Sequence, residues 1–343
     1  MPTPPKPDGA GAPDGGPERP LPYGYKRGQP YVWYHRRPRL GNGHCLYCGV
    51  LVGEGATVET DREHLVGRNF VPTGAFAPGD FNLIFRACRA CNGDKAAAER
   101  HVSTVTLYNS PARADADLDA LARRKAGTDF HPRKPGVRVQ DAAESFEVVI
   151  QFGAARFTFA LVGPPQLDEA HALLLASYHV QGLYALVSSP DPRRSDGTAL
   201  LDPARVHTLG VYGEQDWGNP QLLEFARRAA GWRCYAIVDT AGGHFRAVLR
   251  RRPEPPECWF WALEWNRATR LAGVIVEPNA GPDPDVAIAE NLPPLPAWRP
   301  MPGGPGVSRR MREEVPLRPE DDTLFADLAV SAPDPEPDPG RGA

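Results

Sequence analysis

Hydrophobic and polar positions change rhythm several times along this chain, and each change predicts an element or a boundary. In "ARADADLDALARRKAG", Leu118 and Leu121 recur on one side of a charged stretch, which predicts a helix inside a helical linker over 111–140. From about Asp141 the period shortens. "SFEVVIQFGAARFTFALV" alternates twice in strand fashion and predicts a hairpin turning at Gly153 to Arg156. A helix follows "PPQLDEA", with Leu173, Leu174, Ala176, Val180, Leu183 and Tyr184 as its apolar stripe. "VHTLGVYG", "CYAIVDT", "HFRAVLR" and "LAGVIVE" read as strands, and "PQLLEFARRAAG" as a short helix that stops at Gly231. Residues 141–278 are therefore expected to form a separate α+β domain after a smaller unit over 21–110. The ends read differently: 1–20 has too few apolar groups to offset ordering and is expected to be a disordered lead-in, and 279–343 a Pro-rich, acidic, mobile tail.

Composition adds bounds to this picture. With 343 residues, 41% hydrophobic and 24% charged, the chain can bury one or two ordinary cores. No stretch approaches the roughly eighteen uninterrupted apolar residues of a membrane span, and "MPTPPKPDGAGAPDGG" lacks the pattern of a secretory signal. A cytoplasmic location without a membrane partner is the expectation. The net charge of −3 excludes a polycation, but no Asp or Glu occurs from Leu21 to Gly43. There Lys26, Arg27, Arg36, Arg37 and Arg39 interleave with Tyr25, Tyr31, Trp33 and Tyr34. Such a run can neutralise phosphates and stack on unpaired bases, which is the favoured reading; the alternative is that Trp33 and Tyr31 pack beneath the knuckle with the arginines solvated. In the second domain, Trp217, Trp259, Trp261 and Trp265 read as core or interface residues.

Six cysteines in a chain of this length are too sparse for a disulfide scaffold, and four fall into two Cys-x-x-Cys pairs, Cys45 with Cys48 and Cys88 with Cys91. That is the ligand set of a closed structural Zn²⁺ site, with no open position for catalysis. Arg86 and Arg89 are placed to offset the negative charge of four thiolates, and His44 reads as a surface neighbour. The metal would tie together the ends of a segment too polar to fold on its own core. Between the ties lie "DREHLVGR", "GDFNLIFRAC" and "CNGDK".

An acidic residue followed by His, then an Asn before an apolar strand, then Cys-x-x-Cys-Asn-x-x-Lys, resembles the zinc-containing branch of the HNH endonucleases over about Gly43 to Thr106. The resemblance implies a ββα-metal fold that cleaves phosphodiester bonds, DNA above all, with one divalent cation. Position by position it implies His64 as general base, Glu63 as acidic metal ligand, Asn82 as the brace of the loop, and Asn92 as the ligand on the helix. The chemistry suits these residues: imidazole, with a pKa of about 6.5, can deprotonate water near neutrality. Mg²⁺ or Mn²⁺ would take the oxygens of Glu63 and Asn92. Neighbours on a regular strand point to opposite faces, so Glu63 and His64 share a site only if the strand ends or bulges, for which "HLVGRN" with Gly67 is suited. Asn82 reads either as the brace or as a turn residue after "APGD". On the helix, Lys95 and Glu99 fall near the face of Asn92, His101 falls opposite, and Asp94 turns away. Lys95 reads as a phosphate contact or a solvated charge, and Arg68, Arg36, Arg37 and Arg39 as further nucleic-acid contacts.

Two departures stand out. Ala96 occupies the place of a second helix ligand, so cation binding without DNA should be weak, and "LVGRNFVPTGAF" replaces the small Gly-rich segment common after the His. A non-catalytic zinc module that binds nucleic acid or protein is the other reading. One such site handles one strand at a time, so duplex cleavage would need two events or a homodimer. A nuclease module joined to a further domain suggests restriction, phage defence or a mobile element, with a regulatory partner on the second domain.

Overall fold

A computed structural model describes residues 38–142, 145–153, 155–162, 164–189, 198–276, 299–300, 310–311 and 315–325. The expected lead-in, the aromatic and basic run, Arg36, Arg37 and most of the expected tail lie outside the described residues.

The first unit is a hairpin and a helix. Strand β1 (Thr60–His64) pairs antiparallel with β2 (Ile84–Cys88), and α1 (Arg89–Tyr108) leaves β2 directly. Cys88 is the N-cap and makes no side-chain cap bond, so the second cysteine pair straddles the strand-to-helix joint. Lys95, Ala98, Val102 and Val105, at helical spacing, are buried. From His101 to Leu107 every residue of α1 is buried, because α2 (Ala116–Thr128) and α3 (Glu169–Ser188) also cover it.

The helix expected in the linker is α2, capped by the Asp115 side chain on the amides of Asp117 and Leu118. Its buried side is Ala122 and Ala126, with Leu118 and Leu121 only half-buried. Small residues let it lie close on α1, so this segment is packed structure and not a tether. The hairpin after it is β3 (Ser145–Phe152) with β4 (Ala155–Val162), turning where Phe152 pairs with Ala155.

The main sheet is antiparallel in the order β5-β9-β8-β7-β6: β5 (Val206–Gly213), β6 (Arg233–Thr240), β7 (Phe245–Arg251), β8 (Cys258–Trp265) and β9 (Thr269–Val276). On one face Trp259, Trp261, Leu263 and Trp265 of β8 share a core with α3 and with Tyr47, Leu65, Phe70 and Phe85 of the first unit. On the other, Phe260, Ala262 and Val274 pack with α4 (Pro220–Ala229). The chain is mixed helix and sheet, as expected, but the α+β part is not a separate domain. Tyr47 stacks on Tyr178 with ring centroids 4.1 Å apart, and Gln181 donates to the Tyr47 carbonyl at 3.2 Å. Thr240 donates to the Phe81 carbonyl at 2.8 Å. At Gly182 a Cβ would run into Leu65, so α3 lies against the loop that follows β1.

Two more expectations need correction. The apolar stripe of α3 starts later than its leucines suggest: Leu173 and Leu174 are exposed, while Leu175, Ala176 and Tyr178 to Val187 are buried. Cover on two sides explains the change, since the helix lies between the sheet and the first unit. Within the expected tail, Leu324 and Phe325 are buried against the α4 face, and Asp322 pairs with Arg270 at 2.9 Å. Apolar cover and a two-pronged ion pair hold that segment down.

Candidate functional site at the first hairpin and helix

The four cysteines of the two knuckles come together. Their Sγ atoms all lie within 4.8 Å of one another, and those of Cys48 and Cys88 are 3.7 Å apart. Four sulfurs at about 2.3 Å from one zinc ion sit roughly 3.8 Å from each other, whereas a disulfide needs about 2 Å. All four are free thiols, and Cys45, Cys88 and Cys91 are buried. Burial raises the thiol pKa of Cys45 and Cys91, whereas at Cys88 burial is outweighed by hydrogen bonds from Cys91 and the other thiols, which lower it; a dication would offset four thiolates there. The cluster can hold a structural metal ion such as zinc. Arg86 donates to the Val52 carbonyl, and Arg89 pairs with Glu59 and, at 3.7 Å, with Asp61. Neither of these contacts is to a cysteine.

Strand alternation sorts β1 into two faces. Asp61 and Glu63 point toward α1, while Arg62 and His64 point the other way, where Arg62 stands directly opposite Arg86 in the register. Glu63 and His64 therefore diverge, as neighbours on a strand must. Glu63 is 6% exposed and its carboxylate lies 2.7 Å from the Lys95 ammonium, which is 1% exposed. The same ammonium lies 2.5 Å from Glu99 and donates to the His64 carbonyl at 3.0 Å. Burial alone would lower the pKa of Lys95, but Glu99 and Glu63 outweigh it and hold the group charged. Burial raises Glu63, against the pull of Lys95.

This arrangement changes two expected roles. Lys95 is neither a phosphate contact nor a solvated charge: its donors are spent inside the fold. Asn92 meets Asp61, at 3.4 Å, and not Glu63. A cation placed on Glu63 would face an ammonium already seated there, so Glu63 and Asn92 do not fit the expected Mg²⁺ or Mn²⁺ as the chain is folded.

Asn82 takes the bracing position. Its side chain accepts from the Val66 amide at 3.1 Å and donates to the Val66 carbonyl at 2.7 Å, both bonds buried. The backbone two residues after His64 is thus pinned to the start of the second strand region. Gly67 donates its amide to Glu99 at 2.8 Å, and a Cβ there would run into that carboxylate. The expected departure from regular strand occurs here.

At the edge of the hairpin, a cleft of about 470 Å³ is lined by Arg39, Arg62 and Arg86 together with Asp61, and His64 is not among its lining residues. Like charges directly opposite one another, as at Arg62 and Arg86, are unfavourable unless an anion lies between them. Arg68 is exposed on the loop after β1 and lines a second cleft. From the sequence, Asp61 and Arg62 carry no expected role, and Glu99 is placed near the face of Asn92 without one. Period two from Glu63 points to Asp61, the same period from His64 points to Arg62, and the four-residue step from Lys95 points to Glu99.

None of the protein-family models, curated proteins or solved structures compared with this chain matches it. Among the described residues no helix is long and apolar enough to cross a membrane.

Proposed function

We propose that this chain is an HNH-type endonuclease that hydrolyses phosphodiester bonds, DNA first among its substrates, with His64 as the general base. The observation that most supports the reading is the pair of Asn82 bonds to Val66, because they hold the backbone just beyond His64 inside a strand-strand-helix unit closed by four cysteines. A neutral imidazole takes a proton from water, and Arg62 and Arg86 on the same face offer charge to the phosphate oxygens. Guanidinium groups aimed where charge develops stabilise it without reorganising at the moment of reaction. The test is cleavage of 5′-labelled DNA by the zinc-loaded chain and by His64→Ala. Cleavage by the first alone supports the reading, and equal cleavage by both removes His64 from the mechanism.

One observation favours the second reading, a zinc module that binds nucleic acid without turnover. Lys95 already neutralises Glu63, the acidic group that the family resemblance assigns to the cation. Binding without cleavage by any zinc-loaded preparation, with or without Mg²⁺ or Mn²⁺, would make that reading the better one.

A further inference from the structure

The second cleft, about 390 Å³ in volume, lies between the loop after β1, α1 and α2. Arg68 of the loop, Arg100 of α1, and Arg124 and Lys125 of α2 line it, with Glu99 and Asp129 as its carboxylates. Both carboxylates are engaged elsewhere. Glu99 receives Lys95 and the Gly67 amide, and Asp129 receives the Thr104 hydroxyl. Arg68, Arg100 and Arg124 are exposed, and among the described residues none has a carboxylate partner.

Lys125 gives a second, independent sign. Its ammonium donates to the Asn69 carbonyl at 2.8 Å and to the Ser103 hydroxyl at 2.7 Å, both uncharged. Burial pushes its pKa down to about 8, against the upward pull of Asp129 and Glu99, neither of which forms an ion pair with it. Three guanidinium groups without a carboxylate partner among the described residues and this ammonium, against two carboxylates, give one open cleft an excess of positive charge. Ala96, small and exposed, lies on the same wall and leaves the approach open.

We infer that this cleft holds backbone phosphates of a nucleic-acid strand, with α2 as its positively charged wall. The inference rests on the nuclease reading only for the choice of anion: a polyanion whose charges are spaced along a chain suits basic groups supplied by three separate elements. The helix α2 lies beyond the region of family resemblance, so this contact belongs to the chain's own architecture.

The experiment uses the full chain and a fluorescein-labelled DNA oligonucleotide, single-stranded and duplex, with anisotropy read over a salt series. Arg124→Glu is compared with Arg123→Glu, the adjacent exposed residue, which pairs with Asp119 and does not line the cleft. Arg68→Gln/Arg100→Gln/Arg124→Gln is the second variant, and zinc content is checked in each. The expected result is at least a tenfold loss of affinity for Arg124→Glu, a change within twofold for Arg123→Glu, and a salt slope shallower by about 2.1 on single strands to 2.7 on duplex in the triple variant, since each lost phosphate contact removes roughly 0.7–0.9. Equal losses for Arg124→Glu and Arg123→Glu, an unchanged slope in the triple variant, or no DNA binding by the wild type would overturn the inference. Binding that depends on the cleft but yields no cleavage supports the inference and counts against the nuclease. Cleavage that survives with an unaltered salt slope in the triple variant does the reverse.

Discussion

The Lys95 ammonium sits 2.7 Å from the Glu63 carboxylate under the first hairpin, with Glu99 one helical turn further on at 2.5 Å. Two carboxylates thus share one buried cation, and the Glu99 end of the group also holds the Gly67 amide. The pairing joins β1, α1 and the loop after β1 at one point.

Removing the cation leaves the buried Glu63 carboxylate facing the half-buried one of Glu99. Lys95→Met should cost about 3–5 kcal/mol, because an uncompensated buried charge is far more expensive than the pair is favourable. Glu63→Gln added to Lys95→Met should recover part of the loss. Urea unfolding of the two variants checks this; a single variant as stable as the wild type would mean that the pair is not formed in solution.

Asn82→Ala removes both bonds to Val66 and leaves two buried backbone groups without partners. A loss of about 2–4 kcal/mol is expected, from roughly 1–3 kcal/mol for each unsatisfied group with partial relaxation. Faster hydrogen exchange at the Val66 amide is the specific signature. Protection at Val66 equal to that of the wild type would show that the brace does not hold the loop.

The cysteine cluster should carry one zinc ion per chain by elemental analysis. Cys48→Ser should weaken the metal without removing a buried side chain, since Cys48 is the exposed member. Prolonged chelation should release the hairpin together with its cover on α3, because Tyr47 between Cys45 and Cys48 stacks on Tyr178. A melting temperature insensitive to chelator would argue against a structural metal.

Acid should destabilise the fold through His101. Burial, helped by repulsion from His171 and His131, lowers its pKa to about 4, against an unfolded value of about 6.5. Between those values the unfolded chain takes up a proton that the folded chain refuses. The contribution is full above pH 6.5 and declines as pH falls toward 4, up to about 3 kcal/mol in all. His101→Gln should flatten the slope without abolishing it, since buried His179 is also held well below its usual range. Melting temperature against pH for both proteins decides the matter.

Much of the fold was legible because its signals are local. The hairpin at Gly153 is a matter of short-range alternation, and the start of α4 follows from Asn219 as N-cap with Pro220 after it. The strand β8 was missed because "CWFWALEW" is buried along its whole length, which leaves no alternation to read. Packing of α3 between two partners was hidden for a similar reason: a helix covered on both sides shows no clean stripe. At the site, the four cysteines were legible from spacing alone. The fate of Lys95 was not, because nothing in "CNGDK" says whether the ammonium points to solvent or meets Glu63 on a strand some thirty residues earlier.

The nuclease reading meets its most direct test in supercoiled-plasmid nicking, run with Mg²⁺, with Mn²⁺ and with neither, for the zinc-loaded wild type beside a zinc-loaded His64→Ala protein. Nicking by the wild type that falls at least a hundredfold in the variant is the predicted result, the usual worth of a general base. A wild type that leaves the plasmid intact in every condition, while still binding it, would contradict the claim that this chain cuts nucleic acid.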